Sequence, residues 1–222
     1  KALEAAGKRA LATESNVSAR KLLLRSAELE PTLSRRFLAA RAAWQLGDLP
    51  VVRDEMSVLA AEAAVEGARD IESRALTALS EVAASLDGEL VRAAELADQA
   101  LAVVEPEDHD GRFRALDRRA RVARWVGRLA EAEDYEQQAL EVARAAGRKD
   151  FEARAALQLA GIHIGRMEDD KAEPLIDRAF GSVMASFAER VEIGGVPLTL
   201  VDTAGVRREP GGGVRGLADV LR

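Results

Sequence analysis

The sequence predicts an all-α protein, a helical solenoid of about five helical hairpins followed by a short C-terminal β-hairpin tail. Alanine, the strongest helix former, supplies 44 of the 222 residues, whereas aromatic residues make up 4%. Glycines recur at Gly47, Gly88, Gly127 and Gly165, at intervals of 41, 39 and 38 residues. After residue 180 this pattern stops, and the remaining residues hold eight of the 17 glycines.

Composition limits the possible functions. Because the chain has no cysteine, a disulfide framework, a thiolate zinc site and a cysteine nucleophile are excluded. Acidic residues outnumber basic ones by 38 to 32, which disfavours general binding to nucleic acid or anionic membrane. No apolar run approaches the roughly 20 residues that span a bilayer, and Lys1 begins no signal peptide. We therefore expect a cytoplasmic protein with no nucleic-acid or membrane partner and no cofactor or metal.

The periodic glycines indicate repeated helical hairpins. Each one separates two alanine-rich stretches, as a turn between two helices does. Residues 67–79 also match 147–159 across an offset of 80, which is two periods, and Gly111 falls in the corresponding position between them. A period near 40 with two helices and two turns is typical of an α-solenoid, although an irregular alanine-rich bundle is the alternative. The predicted hairpins are 1–31, 33–66, 70–104, 112–146 and 150–180, so the sequence divides into 1–180 and 181–222.

The first unit carries a recognisable set of positions: Gly7, Ala19, Leu23, Ser26 and Pro31. These have the spacing of the glycine, small, bulky, small and proline positions of the tetratricopeptide repeat (TPR) family, and residues 1–180 resemble that family. The small residues let two helices approach closely. Since the period exceeds the usual ~34 residues, the array looks like the C-terminal sensor arrays of bacterial multidomain regulators, and a start at lysine fits a fragment of one. The resemblance implies a non-catalytic protein-interaction or sensing module.

In the TPR family the first helix of each hairpin lines the concave, binding face. In the fourth unit this helix lies within 111–128, which contains seven arginines and one acidic residue. Helical spacing places several of these arginines along one side. The guanidinium group binds carboxylate or phosphate through two parallel hydrogen bonds, so we expect a protein or peptide partner with an acidic segment. The candidate binding residues are Arg114, Arg118, Arg121 and Arg124, with Phe37, Arg41 and Trp44 at matching positions of the second unit.

One alternative is that the arginines of the fourth unit pair with acidic neighbours and only solvate the helix, and another is that they bind phosphates of a nucleic acid. Glu131, Glu133 and Asp134 are the nearest candidates in the sequence. Self-association is a further possibility for an open-ended array. His163 lies among apolar residues and is expected in the core or a turn. With two isolated histidines and no convergent carboxylate pair, residues 1–180 offer no catalytic site, so we do not expect an enzyme.

The last segment has a different pattern. Residues 189–193 and 196–201 are two β-type runs around a two-glycine turn, followed by Asp-Thr-Ala-Gly at 202–205. Here residues 181–222 resemble the switch region of Era-like GTPases of the Der (EngA) or MnmE (TrmE) type. That resemblance implies that Asp202 would hold Mg²⁺ through water and that the Gly205 amide would contact the γ-phosphate, making GTP binding the alternative function. The sequence contains no GxxxxGK[ST] phosphate loop and no NKxD, so we expect an incomplete GTPase fragment.

Overall fold

The computed structural model describes residues 1–190, 192–193 and 196–197, and residues 2–190 form ten α-helices joined by short turns. Consecutive helices pack as five antiparallel hairpins, with a further contact between each hairpin and the next. The helices are α1 Ala2–Ala12, α2 Asn16–Leu29, α3 Leu33–Gln45, α4 Leu49–Glu66, α5 Arg69–Ser85, α6 Leu90–Val103, α7 His109–Trp125, α8 Leu129–Ala145, α9 Lys149–Gly165 and α10 Asp169–Arg190.

The predicted all-α solenoid of five hairpins is confirmed. The hairpin predicted over 33–66 has the bounds of α3 and α4, and the other starts agree within three residues. No strand lies between residues 33 and 146, and no helix runs through two of the turn glycines. The alanine periodicity therefore identified the repeating unit correctly.

The turns within the hairpins depend on a left-handed backbone. Gly47 has φ 74°, Gly88 has φ 70° and Gly127 has φ 82°, a region in which a Cβ atom is strained and glycine is not. The fifth turn differs from the prediction, because Gly165 is the last residue of α9. Met167, with φ 60°, takes the left-handed position there.

Gly111 also differs from its expected place in a turn between hairpins. It lies in the first turn of α7, where its N–H donates to Oδ1 of the N-cap residue Asp108 at 2.9 Å. A Cβ at this position would lie 2.8 Å from the Asp108 Cγ and 3.0 Å from the Val104 Cγ2. The missing side chain therefore lets the capping carboxylate approach the start of α7.

The small residues of the repeat allow close helix packing, as the sequence predicted. A Cβ at Gly7 of α1 would lie 2.6 Å from the Cγ of Leu23 in α2. Ala19 and Leu23 are completely buried, and so are the equivalent small residues of later hairpins, including Ala93 and Ala132. The largest core cluster joins the second, third and fourth hairpins.

The C-terminal part is only partly described. Helix α10 continues through the predicted boundary at 180/181, which itself stays a prediction. Beyond α10, β1 Glu192–Ile193 and β2 Val196–Pro197 are two-residue strands that pair antiparallel. The hairpin predicted over 189–193 and 196–201 is not confirmed, because 189–190 belong to α10 and 198–201 lie outside the described residues.

Candidate functional site

The first helices of the hairpins line a concave groove of about 690 Å³. Its walls come from α1, α3, α5, α7 and α9, and Met56 of α4 is the one lining residue from a second helix. The groove therefore lies on the face that the repeat pattern predicted.

Side chains in the groove follow the register of the repeat. Helices α3, α5, α7 and α9 end at residues 45, 85, 125 and 165, so residues 40 positions apart occupy equivalent places. Arg74, Arg114 and Arg154 are spaced in this way and all line the groove. We call these three residues the arginine row.

The groove is positively charged in an acidic protein. Six arginines line it against three carboxylates, an excess of three positive charges, whereas the whole chain has a net charge of −6. Oppositely charged ligands are attracted to such a local excess. The arginines are Arg41, Arg74, Arg114, Arg118, Arg121 and Arg154, and the carboxylates are Glu81, Asp110 and Asp117.

Arg118 does not have the exposure that the sequence led us to expect. It is 5% exposed and its Nη1 contacts Oε2 of Glu81, across the groove wall on α5. Arg121 lies 3.6 Å from the same carboxylate oxygen. Burial, together with the charges of Arg121 and Arg154, lowers the pKa of Arg118 to about 9, so it remains charged at neutral pH. Arg118 thus helps to form the wall of the groove.

Arg41 and Arg114 are the accessible cations of the groove. Both residues are exposed, and among the residues that the structure describes neither has a carboxylate within ion-pairing distance. The groove walls still remove part of their water. This desolvation lowers the pKa of Arg114, and the positive charges of Arg154, Arg74 and Arg41 add to it while Asp110 opposes it. Desolvation and the charge of Arg74 lower the pKa of Arg41 in the same direction.

The structure brings together six of the seven predicted binding residues. Phe37 and Trp44 line the groove beside Arg41 and also pack against the core cluster. Arg124 is half-buried and is not part of the groove lining. Trp125 is 39% exposed, and its ring centroid lies 5.3 Å from the guanidinium carbon of Arg121.

The acidic neighbours of the fourth unit pair with arginines that do not line the groove. Glu131 contacts Arg119 and Arg128, and Glu133 contacts Arg166. The groove arginines use carboxylates from other parts of the solenoid. Pairing with adjacent acidic residues therefore describes Arg119 and Arg128 of the fourth unit. It does not describe the groove arginines Arg114, Arg118 and Arg121.

Sequence reasoning missed two arginines of the groove. Arg154 donates from Nε and Nη2 to the two Asp117 oxygens, at 3.1 and 2.7 Å, and Arg74 lies 3.7 Å from an Asp108 oxygen. The identity of Arg74 and Arg154 across the repeat, with Arg114 midway between them, was the available signal.

One buried acid behind the groove was also missed. Glu136 of α8 is completely buried, and neither of its carboxyl oxygens has a hydrogen-bond partner among the described residues. Burial raises its pKa to about 9; Asp117 adds to this rise, while Arg154, Arg124 and Arg121 oppose it. Nothing in the local sequence distinguishes Glu136 from the exposed acids of the same helix.

The histidine prediction is confirmed, since His163 is 5% exposed and its Nδ1 lies 2.8 Å from a Glu168 oxygen. Among residues 1–181, no three or more His, Asp or Glu side chains are arranged to hold a metal ion. None of the described helices is long and apolar enough to cross a membrane. Asp202 and Gly205 lie outside the described residues.

No family model and no curated protein matches this chain. Solved structures with helical repeats are similar to it. A thermophilic TPR protein of Thermus thermophilus is 20% identical to this chain with a TM-score of 0.64, and the match covers 85% of this chain and 94% of the Thermus protein. A Podospora anserina putative kinesin light chain with nearly identical TPR-like repeats is 15% identical with a TM-score of 0.62, and the match covers 84% of this chain and 95% of the Podospora protein. MamA is 13% identical with a TM-score of 0.54, covering 82% and 96%. The fold is therefore a TPR-like helical repeat array.

Proposed function

We propose that this chain is a non-catalytic protein-interaction or sensing module whose concave groove binds an acidic segment of a partner protein. The observation that carries this proposal is the excess of three positive charges in a 690 Å³ groove of a chain with net charge −6. The similarity to TPR-type structures supports a scaffold role for the concave face.

The groove also has an apolar part next to its arginines. Leu11, Phe37, Trp44 and Met56 line it together with Arg41. A ligand that fits both parts has an apolar side chain close to its acidic ones, because burial of apolar surface adds to the charge-assisted hydrogen bonds. We therefore propose a mixed acidic and apolar peptide in preference to a purely acidic one.

Fluorescence of Trp44 provides the test. In a Trp125→Phe background, Trp44 is the remaining tryptophan and lies in the groove. The probes are two blocked peptides, acetyl-(Glu-Ala-Leu)₃-amide and acetyl-(Lys-Ala-Leu)₃-amide. We expect saturable binding of the glutamate peptide only, weakening as salt is added because the contacts are ionic.

The decisive variant removes the two accessible cations. Arg41→Ala with Arg114→Ala is expected to weaken binding of the glutamate peptide about tenfold or more, since charge-assisted hydrogen bonds contribute about 1.5–3 kcal/mol each. Arg25→Ala with Arg92→Ala is the matched control, because it removes the same charge from exposed positions on α2 and α6. Equal binding by both double variants would show that the peptide does not use the groove.

No observation on the described residues favours GTP binding through Asp202 and Gly205. That function, a place in a multidomain bacterial regulator and self-association all stay predictions from the sequence.

A further inference from the structure

The groove contains two cations that the protein itself does not neutralise. Four of its six arginines lie within 4 Å of a carboxylate, on Glu81, Asp108 or Asp117. Arg41 and Arg114 have no such partner among the described residues. Asp110 attracts Arg114 without forming an ion pair with it, and the repulsion that Arg114 receives from Arg41, Arg74 and Arg154 is relieved further when an anion is placed among these groups.

Arg114 is the centre of this cluster. It occupies the middle of the arginine row, one repeat after Arg74 and one before Arg154, and it lies within the electrostatic influence of Arg41. Its position is supported by the Phe151 ring, whose centroid lies 5.3 Å from the guanidinium carbon. One part of the groove therefore brings together four guanidinium groups, those of Arg41, Arg74, Arg114 and Arg154.

The same wall contains donors that lack acceptors. The Nε atoms of Arg74, Arg118 and Arg121 are shielded from solvent and have no hydrogen-bond partner among the described residues, and the same holds for one carboxylate oxygen each of Glu81 and Asp108 beside them. The Arg118 side chain is 6% exposed and lines the groove. Buried donors of this kind are costly when they are left unpaired, so an oxyanion with several acceptor oxygens is favoured at this wall.

We propose that Arg41 and Arg114, with Arg74 beside them in the groove, bind a phosphoryl dianion carried on a phosphorylated side chain of the partner segment. This inference rests on the proposed function and specifies its ligand. A phosphoryl group carries about −1.5 to −2 charges at neutral pH and three acceptor oxygens, which match two unpaired guanidinium groups. A carboxylate neutralises one of them.

The apolar part of the groove favours a peptide as the source of this group. Phe37 and Trp44 lie along the same cavity as the arginines and are partly exposed there. A free phosphate ester would leave these side chains uncovered, whereas a peptide with a phosphorylated residue near an apolar one contacts both.

The charge requirement is tested with methyl phosphate, a dianion at neutral pH, and dimethyl phosphate, a monoanion of similar shape. Binding is measured at constant ionic strength by NMR of the arginine Nε–H signals and by Trp44 fluorescence. We expect methyl phosphate to bind at least about tenfold more tightly than dimethyl phosphate. Equal affinities would overturn the inference, and binding of the glutamate peptide would then leave the proposed function standing.

The location and source are tested with variants and a peptide. Arg41→Ala with Arg114→Ala is expected to abolish the preference for methyl phosphate, while Arg25→Ala with Arg92→Ala retains it. The blocked peptide acetyl-Leu-Ala-phosphoserine-Ala-amide is expected to bind at least about threefold more tightly than methyl phosphate, because it also covers apolar groove residues. No gain from the peptide would overturn the assignment to a partner's side chain. Retention of the preference in the groove variant would overturn the site.

Discussion

Glu136 makes the stability of the solenoid depend on pH in a way that can be measured. Helix α8 packs against both α7 and α9, and Glu136 is completely buried there. Since its oxygens have no hydrogen-bond partner among the described residues, ionisation places an unsolvated charge in the core. Burial accordingly raises its pKa from 4.5 to about 9, so Glu136 is protonated in the folded protein at neutral pH.

The sign and size of the effect follow from linkage. Between pH 4.5 and about 9 the folded protein holds a proton that the unfolded chain releases, so the free energy of unfolding falls as pH rises through this interval. The loss is about 1.4 kcal/mol for each pH unit, or about 3 kcal/mol between about pH 5 and 7. The stabilisation is fully present below pH 4.5, and above about pH 9 the free energy of unfolding no longer changes with the ionisation of Glu136.

Glu136→Gln is expected to remove this slope, because the amide does not titrate, and to raise the free energy of unfolding by about 3 kcal/mol at neutral pH. Glu141→Gln is the matched control, an exposed glutamate on the same helix. Urea unfolding followed by circular dichroism between about pH 5 and 8 gives the slopes.

Other carboxyl groups act outside this interval. Hydrogen bonds to Lys8 and Arg35 lower the pKa of Glu4, and a hydrogen bond to Arg148 lowers that of Asp150. Their stabilisation is present above the pKa values of the unfolded chain and is lost as pH falls through the lower folded values.

A wild-type protein with equal stability from about pH 5 to 8, or a Glu136→Gln variant with the wild-type slope, would refute the reasoning by showing Glu136 to be solvated or ion-paired.

Four other substitutions test the packing. Arg118→Ala is expected to lower the free energy of unfolding by about 2–3 kcal/mol, because Glu81, whose side chain is 15% exposed, keeps only its longer contact with Arg121. Adding Glu81→Gln should recover part of this loss in the same urea assay. Gly127→Ala is expected to lower the free energy of unfolding by about 1 kcal/mol, because Gly127 has a left-handed φ of 82°. Met167→Gly, at φ 60°, is expected to raise it by a similar amount, and thermal unfolding measures both changes. Gly7→Ala is expected to lower the free energy of unfolding by about 1–3 kcal/mol, because the added methyl group overpacks the contact with Leu23. An unchanged thermal unfolding midpoint would show that α1 moves freely away from α2.

Local features of the sequence were sufficient to predict the repeating architecture. A turn glycine is required by the backbone of its own few residues, and small residues such as Ala19 and Ala132 are required wherever two helices touch. Both signals recur with each hairpin, so the period could be read directly. Gly111 and Gly165 were misplaced because glycine also serves helix capping and helix ends, which the period alone does not distinguish.

The candidate site was predictable in position but incompletely in membership. The resemblance to the TPR family assigned the concave face to the first helix of each hairpin, and this placed Phe37, Arg41 and Trp44 beside the arginines of α7. Arg74 and Arg154 could have been found from their spacing around Arg114. Arg124 was included because helical spacing places it near the same side, but it lies at the end of α7 and outside the groove lining.

The sequence by itself determined the helices, their period and the face on which the arginines gather, because each of these depends on residues within one hairpin. Only the tertiary structure decided which arginines are paired and which are open. Arg118 meets Glu81, and Arg154 meets Asp117, across 37 residues of chain and from one hairpin to the next. The charge left on Arg41 and Arg114 is set by what the neighbouring repeats bring within a few ångströms, and Coulomb interactions in a partly desolvated groove depend on that distance.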